Sequence, residues 1–196
     1  LANEKAIGEW AILVGYRGSI AHGMYVPQEN KDSIDDKDIM GVFIPPLDYY
    51  FALETYSPPL SRGTQEIKFQ EWDIVTYEVK KFVSLLANAN PNVLSLLWVE
   101  PNLYTHTTPE GLEIRERRGL FATKKAFHSF SGYAKDQLYK MEHLAFEGYM
   151  GAKRKQLVER FGYDTKNAAH LIRLLRMGIE FLNDGELQVM RPDNQE

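Results

Sequence analysis

Two hydrophobic rhythms divide the chain. Over roughly the first hundred residues, apolar positions come in short runs bounded by Gly, Pro and charge, whereas beyond about residue 110 they recur every three or four residues. The run Ala11-Ile12-Leu13-Val14-Gly15-Tyr16, halted by Arg17-Gly18-Ser19, predicts a buried strand entering a tight turn. Residues 20–35 are polar, with Gly23 and Pro27, and Ile20, Ala21 and His22 suit a short helical segment. A second strand is predicted from Asp36 to Ile44, where Pro45-Pro46 must stop it because neither proline can donate to a ladder. A loop rich in Ser, Pro and Gly covers about 57–63, and the β-prone stretch 71–77 predicts another strand. The period then changes: Val79, Phe82, Val83, Leu85 and Leu86 trace a helical stripe. Asn90-Pro91-Asn92 restarts a shorter helix running through Trp98, with Pro91 tolerated in its first turn.

The second half predicts little but helix. Glu110–Arg118 is short and charged. From Thr123 to Phe146, Ala126, Phe127, Phe130, Tyr133, Ala134 and Leu138 keep helical spacing around an awkward Gly132. Lys153–Phe161 is a further helix, and Asp164 or Thr165 caps a last one that reaches about Asn183 and is closed by Gly185. No internal repeat, heptad run or low-complexity tract interrupts this pattern. The expectation is an α/β (α+β) fold: an α/β core with a small mixed sheet at 1–110, and a mostly helical part at 111–196 packed on it.

Composition narrows the classes. The 196 residues, 44% of them hydrophobic, suffice for a well-packed core and exclude a disordered chain. Cys is absent, so a disulfide framework and any thiolate chemistry are excluded. No apolar run is long enough to span a membrane, and no basic-then-apolar leader opens the chain, which begins at Leu1 as a trimmed chain would. The expectation is a cytoplasmic protein without a membrane partner. The net charge of −4 conceals a division: residues 1–112 carry 8 basic and 15 acidic side chains, residues 113–176 carry 14 basic and 7 acidic ones. Acidic and basic halves facing a shared anionic ligand would account for this asymmetry, as would two ordinary solvated surfaces.

The candidate chemistry lies with three aspartates. Asp36 and Asp38 stand two apart in a predicted strand, so their carboxylates share a face; such neighbours repel and are suited to a divalent cation. Asp73, between Trp72 and Ile74, would add a third oxygen ligand if its strand neighbours the first. Three carboxylates of this kind can hold the two Mg²⁺ ions of a phosphoryl-transfer site. An acidic turn at Asp32, Asp35 and Asp36, with Asp73 as a structural acceptor, is the plainer reading of the same residues. Gly18-Ser19 adds a turn whose backbone N–H groups and hydroxyl could approach phosphate. The order is what carries meaning: apolar strand, Gly-Ser, spacer, Asp-x-Asp entering a strand, and a third Asp in a later strand. It matches neither a P-loop nor a dinucleotide fingerprint, and no G-x-S-x-G elbow is present.

The stretches LVGYRGSIAHG (13–23), DDKDIMGVFIP (35–45), WDIVTYEVKKFVSLLANANPNVLSLLW (72–98), FHSFSGYAKDQL (127–138) and HLIRLLRMGIEFLNDGE (170–186) together resemble the minimal nucleotidyltransferases of the DNA polymerase beta superfamily. Most similar is the bacterial and phage group related to the RNA-repair-associated polymerase-beta-like proteins. The resemblance covers most of the chain. It implies a polymerase-beta-like core, Gly18 and Ser19 on the nucleotide phosphates, and Asp36, Asp38 and Asp73 as catalytic, metal-binding carboxylates for Mg²⁺ or Mn²⁺. It implies transfer of a nucleoside monophosphate from an NTP such as ATP to a hydroxyl, with release of pyrophosphate. The spacer between Ser19 and Asp36 is longer than is usual for the superfamily.

Softer candidates surround these. His170, Arg173 and Arg176 recur every three residues along the last helix, and their cations could meet a triphosphate or a nucleic-acid backbone; a solvated face is the alternative. Arg17, directly before Gly18, could contact phosphate. Lys80 and Lys81 open the helix after Asp73, within plausible reach of the site. Lys153-Arg154-Lys155 reads as a solubilising patch. His22, His128 and Tyr133 lie in the motif-like stretches without an assignable role, and His143 shows no ligand spacing. The expected partners are an NTP and an RNA or tRNA end, a protein hydroxyl or a small molecule as acceptor. Two alternatives stand beside the enzyme: a non-catalytic nucleic-acid-binding module using the basic 113–176 block, and a toxin–antitoxin or phage accessory protein acting through a protein partner.

Overall fold

The computed structural model describes residues 8–27, 29, 36–51, 63–69, 71–143 and 152–192. Asp32 and Asp35, most of the predicted loop at 57–63 and the last residues of the helix predicted to Phe146 lie outside them.

Strand β1 (Ala11–Tyr16) leads into a single helical turn, α1 (Gly18–Ala21). Strand β2 (Lys37–Phe43) is followed by the short α2 (Asp48–Phe51), then by β3 (Thr64–Phe69) and β4 (Trp72–Glu78). Two helices, α3 (Val79–Ala87) and α4 (Pro91–Ser95), precede β5 (Tyr104–Thr107) and α5 (Pro109–Glu116). The helical half comprises α6 (Lys125–His143), α7 (Ala152–Phe161) and α8 (Thr165–Asp184). The five strands form one mixed sheet in the order β3-β4-β2-β1-β5, and the fold is of the α+β class. Among the described residues no helix is long and apolar enough to cross a membrane.

Only β2 and β4 run parallel, with Asp38 opposite Asp73 and Met40 opposite Val75. Both neighbouring pairs, β1 with β2 and β3 with β4, are antiparallel. Strand alternation then sorts the side chains. Leu13, Met40, Val42 and Val75 point to the face that helices cover, and all are buried. The other face carries Phe43, packed with Trp10 and Tyr49.

One core cluster draws on both halves of the chain: Leu13, Met40 and Leu94 from the first, Phe130, Leu174 and Met177 from the second. Helices α6 and α8 lie close because Gly178 has no side chain; a β-carbon there would stand 3.0 Å from Phe130 Cβ. Phe181 stacks on Phe130 and meets the edge of Trp98. The residues after α8 are strapped back onto the core. Leu187 and Val189 are buried, Trp98 Nε1 donates to Glu186 at 2.6 Å, and the Arg191 amide donates to the His22 carbonyl.

Helix termini follow local chemistry. Glu78 caps α3 by accepting from the Lys80 and Lys81 amides, and Asn90 caps α4 by accepting from those of Asn92 and Val93. Asp164 caps α8 in the same way, and Gly185 ends it. Two strands were not anticipated. Edge strand β3 (Thr-Gln-Glu-Ile-Lys-Phe) carries only two apolar residues, and β5 (Tyr-Thr-His-Thr) is too short to show a period; the two form the edges of the sheet. The helix predicted through Trp98 is regular only to Ser95, beyond which Leu96–Trp98 continue as turns.

Candidate functional site

The parallel pairing of β2 with β4 sets two carboxylates side by side at the end of the sheet, since residues in register share a face. Arg17 leaves β1 on that same face and is held there by its amide, which donates to the Asp38 carbonyl at 3.0 Å. Its guanidinium lies 3.4 Å from Asp38 and 3.6 Å from Asp73, countering both. The chain then turns at Gly18, whose φ of +62° lies in the left-handed region. A β-carbon at Gly18 would fall onto the Asp38 carboxylate. The glycine is therefore required twice, by its backbone angle and by its neighbour.

These groups floor a cavity of about 410 Å³. Asp36, exposed just before β2, also borders it, as do Ala21 and His22 from the α1 turn. Asn92 and Ser95 come from α4, and Tyr133, Asp136, Gln137 and Lys140 from α6. Lys166, His170, Arg173 and Leu174 of α8 complete the wall. A smaller hollow of about 240 Å³ adjoins it, shares Gly18, Asp38, Lys166, His170 and Arg173, and adds Ser19 and Met24. The floor is thus acidic and the wall opposite carries cations. Some of these are countered: Lys140 pairs with Asp136 at 2.6 Å.

Arg173 is the unusual member. It is only 7% exposed and its Nε has no hydrogen-bond partner. Burial lowers its pKa to about 10, and the Asp38 carboxylate opposes that shift. Lining the cavity, its guanidinium is of the kind that binds an anion through a fork of donors. The two histidines of the cavity are neutral. Burial, reinforced by the Arg173 charge, lowers both His22 and His170 to about 3. His22 is fixed by a 2.8 Å hydrogen bond from Nδ1 to the Val189 carbonyl, and Tyr133 by one accepted from Asn90 Nδ2 at 2.7 Å. Asp38 moves the other way: burial raises its pKa, Arg17 opposes this, and Asp73 adds to it.

The structure therefore brings Arg17, Gly18, Asp36, Asp38, Asp73 and Arg173 to one cavity, with Ser19 in the adjoining hollow. It leaves two expected residues elsewhere. Lys81 is exposed at the start of α3, at the opposite end of β4 from Asp73, because five further strand residues carry the chain away from the site. Arg176 is exposed and outside the cavity lining, since three helical residues rotate a side chain by about 60° relative to Arg173. Nor does Lys153-Arg154-Lys155 act throughout as a solvated patch: Arg154 makes a two-pronged contact with fully buried Asp164, at 3.2 and 2.6 Å. His128 is exposed against Phe127.

Among the described residues, no three His, Cys, Asp or Glu side chains are gathered as a metal ion would require. Asp36, Asp38 and Asp73 all border the one cavity, and Arg17 lies against Asp38 and Asp73 as their positive partner. The donor set is nonetheless of the kind a hard divalent cation takes: all carboxylate oxygen, two of them paired in register.

Sequence reasoning missed Lys140 and Lys166, which lie outside the five motif-like stretches. Every other residue lining the larger cavity falls inside one of them, including Asn92, Ser95, Asp136 and Gln137, which had not been singled out. The family model of the RNA repair pathway DNA polymerase beta family (RlaP) matches residues 10–191. No curated protein and no solved structure matches the chain. With that span matched, the chain belongs to the RNA repair pathway DNA polymerase beta family.

Proposed function

We propose that this member of the RNA repair pathway DNA polymerase beta family is a nucleotidyltransferase that moves a nucleoside monophosphate from an NTP to a hydroxyl acceptor. The observation that carries the reading is the in-register pair Asp38 and Asp73 facing the buried Arg173 across one cavity. An acidic end and a cationic wall match the cation and the phosphates of a nucleoside triphosphate with its divalent cation.

In this reading Asp36, Asp38 and Asp73 would hold Mg²⁺ or Mn²⁺. When bound, that ion neutralises triphosphate charge, lowers the pKa of the attacking hydroxyl and stabilises the departing oxygen. Arg17 would yield its place between the two carboxylates and turn to phosphate, a movement within reach of a side chain that only brushes both at 3.4 and 3.6 Å. Gly18 and Ser19 present backbone and hydroxyl donors to the β- and γ-phosphates. Arg173 and Lys166 bind the same chain of phosphates from α8, and Tyr133, fixed by Asn90, borders the space for the nucleoside. A bond forms between the acceptor oxygen and the α-phosphorus, and the bond from that phosphorus to the bridging oxygen breaks. The electron pair leaves with pyrophosphate and the acceptor proton passes to water. The neutral histidines add no positive charge to the site and need not act as bases.

Incubation with each α-labelled NTP, Mg²⁺ or Mn²⁺, and pooled RNA, protein and small-molecule acceptors tests the reading. Label is expected to move to an acceptor with wild-type protein and not with Asp38→Asn. No transfer to any pool, or equal transfer by the variant, would contradict it.

A further inference from the structure

The alternation that places Arg17, Asp38 and Asp73 on one face of the sheet end places their chain neighbours Tyr16, Lys37 and Trp72 on the other. There they line an open groove of about 620 Å³ together with Ile20, Gly23 and Tyr25. The rings of Tyr16 and Trp72 stand 6.3 Å apart at an interplanar angle of 32°, and Lys37 Nζ lies 5.2 Å over the Trp72 ring. Tyr16, Tyr25 and Trp72 are each only half-buried, so ring surface faces the groove. The α1 turn divides its residues likewise: Gly18, Ala21 and His22 border the cavity, Ile20 and Gly23 the groove.

Resting on the nucleotidyltransferase reading, we propose that this groove seats an unstacked base of a single-stranded nucleic-acid acceptor, whose terminal hydroxyl reaches round the sheet end to the carboxylates. Three features favour a base over other occupants. Aromatic faces are the surface on which bases stack irrespective of sequence. Lys37 is already paired with Glu71 at 3.0 Å, so the groove offers ring surface rather than net charge and selects a flat, weakly charged group over a phosphate. Consecutive residues line the groove and the cavity in turn, so only one sheet thickness separates them, a gap that adjoining nucleotides can bridge. The groove thereby assigns the acceptor a class that the cavity alone leaves open.

The test uses the full chain and 12-residue oligoadenylates of RNA and DNA, followed by fluorescence anisotropy and by transfer kinetics with an α-labelled NTP. Trp72→Ala is expected to raise the Kd and KM for the oligonucleotide about tenfold, as the loss of one stacked base would. The kcat at saturating oligonucleotide and the affinity for a non-hydrolysable NTP analogue should stay unchanged. Trp72→Phe, which keeps a ring and safeguards against loss of the fold, should stay within about threefold of wild type, and Tyr25→Ala should weaken the oligonucleotide severalfold. Preference for either sugar supports the proposal. Unaltered oligonucleotide affinity in Trp72→Ala overturns it, as does transfer by the wild type onto protein or small molecules alone; both leave the nucleotidyltransferase reading in place. Trp72-dependent oligonucleotide binding with no transfer to any acceptor would instead keep the groove and overturn the reading it rests on.

Discussion

The sheet end and the helical wall face each other across one cavity but hold their charges in opposite ways. At the sheet end, Asp38 and Asp73 are half-buried, repel each other, and are countered chiefly by Arg17, with Lys166 adding to it at Asp38. On the wall, Arg173 is buried within α8, near neutral His22 and His170, with its Nε unpartnered. The first region is half-buried and the second is buried. In the proposed reading the half-buried carboxylates admit the cation and the buried arginine selects the triphosphate.

Gly18→Val should break this arrangement most severely, because it strains a left-handed residue and drives a side chain onto Asp38. A loss of at least about 2 kcal/mol, roughly 4–8 °C in Tm for a chain of this size, is expected in thermal melts, together with loss of NTP-analogue binding. The wall is tested by two arginines one turn apart. Arg173→Gln should weaken an NTP analogue at least tenfold, as the loss of a charge-assisted hydrogen bond would, whereas Arg176→Gln should leave its affinity within about twofold. Equal losses in the two would mean that α8 presents a general positive surface rather than one aimed residue.

Acid should sharpen the contrast. His22 and His170 titrate near 3 when folded and near 6.5 when unfolded, so below pH 6.5 the unfolded chain binds more protons. Their contribution is fully present above that pH and declines as pH falls toward 3, by up to about 1.4 kcal/mol per pH unit for each histidine. Asp38, whose pKa is raised, acts in the opposite sense in the carboxylate range. Denaturant melts from pH 7 to pH 4 should show the decline, and His22→Gln should flatten it. The smallest effect is expected at the sheet end: metal-free Asp38→Asn should melt at the wild-type temperature or slightly above, since it relieves a raised, repelled carboxyl. A fall of more than about 5 °C would make Asp38 a structural acceptor.

The two regions also differed in how far the sequence disclosed them. Strand alternation is a two-residue rule, and it suggested Asp36 and Asp38 as a pair, but β2 begins only at Lys37; Asp73 needed only the supposition that its strand lies alongside. The parallel register then set Asp38 beside Asp73. What spacing could not tell was that Arg17 would stand between them, because that contact depends on where β1 ends across the sheet. On the helices, a three-residue recurrence drifts around the axis, and only the packing of α6 on α8, close at Gly178, decides that Arg173 faces inward and Arg176 outward. Lys140 and Lys166 had no local mark because their place in the wall comes from the same packing. Lys81 seemed near Asp73 along the chain but is separated from it by the length of β4. Edge strands β3 and β5 carried too little apolar pattern to be seen at all.

The division of labour across the cavity is tested most directly by calorimetric titration of wild type, Asp38→Asn and Arg173→Gln with Mn²⁺ and, separately, with a non-hydrolysable NTP analogue. Asp38→Asn is expected to lose the Mn²⁺ site while retaining measurable nucleotide affinity, and Arg173→Gln to keep Mn²⁺ binding while losing nucleotide affinity at least tenfold. Wild-type affinities for both ligands in both variants would contradict the account.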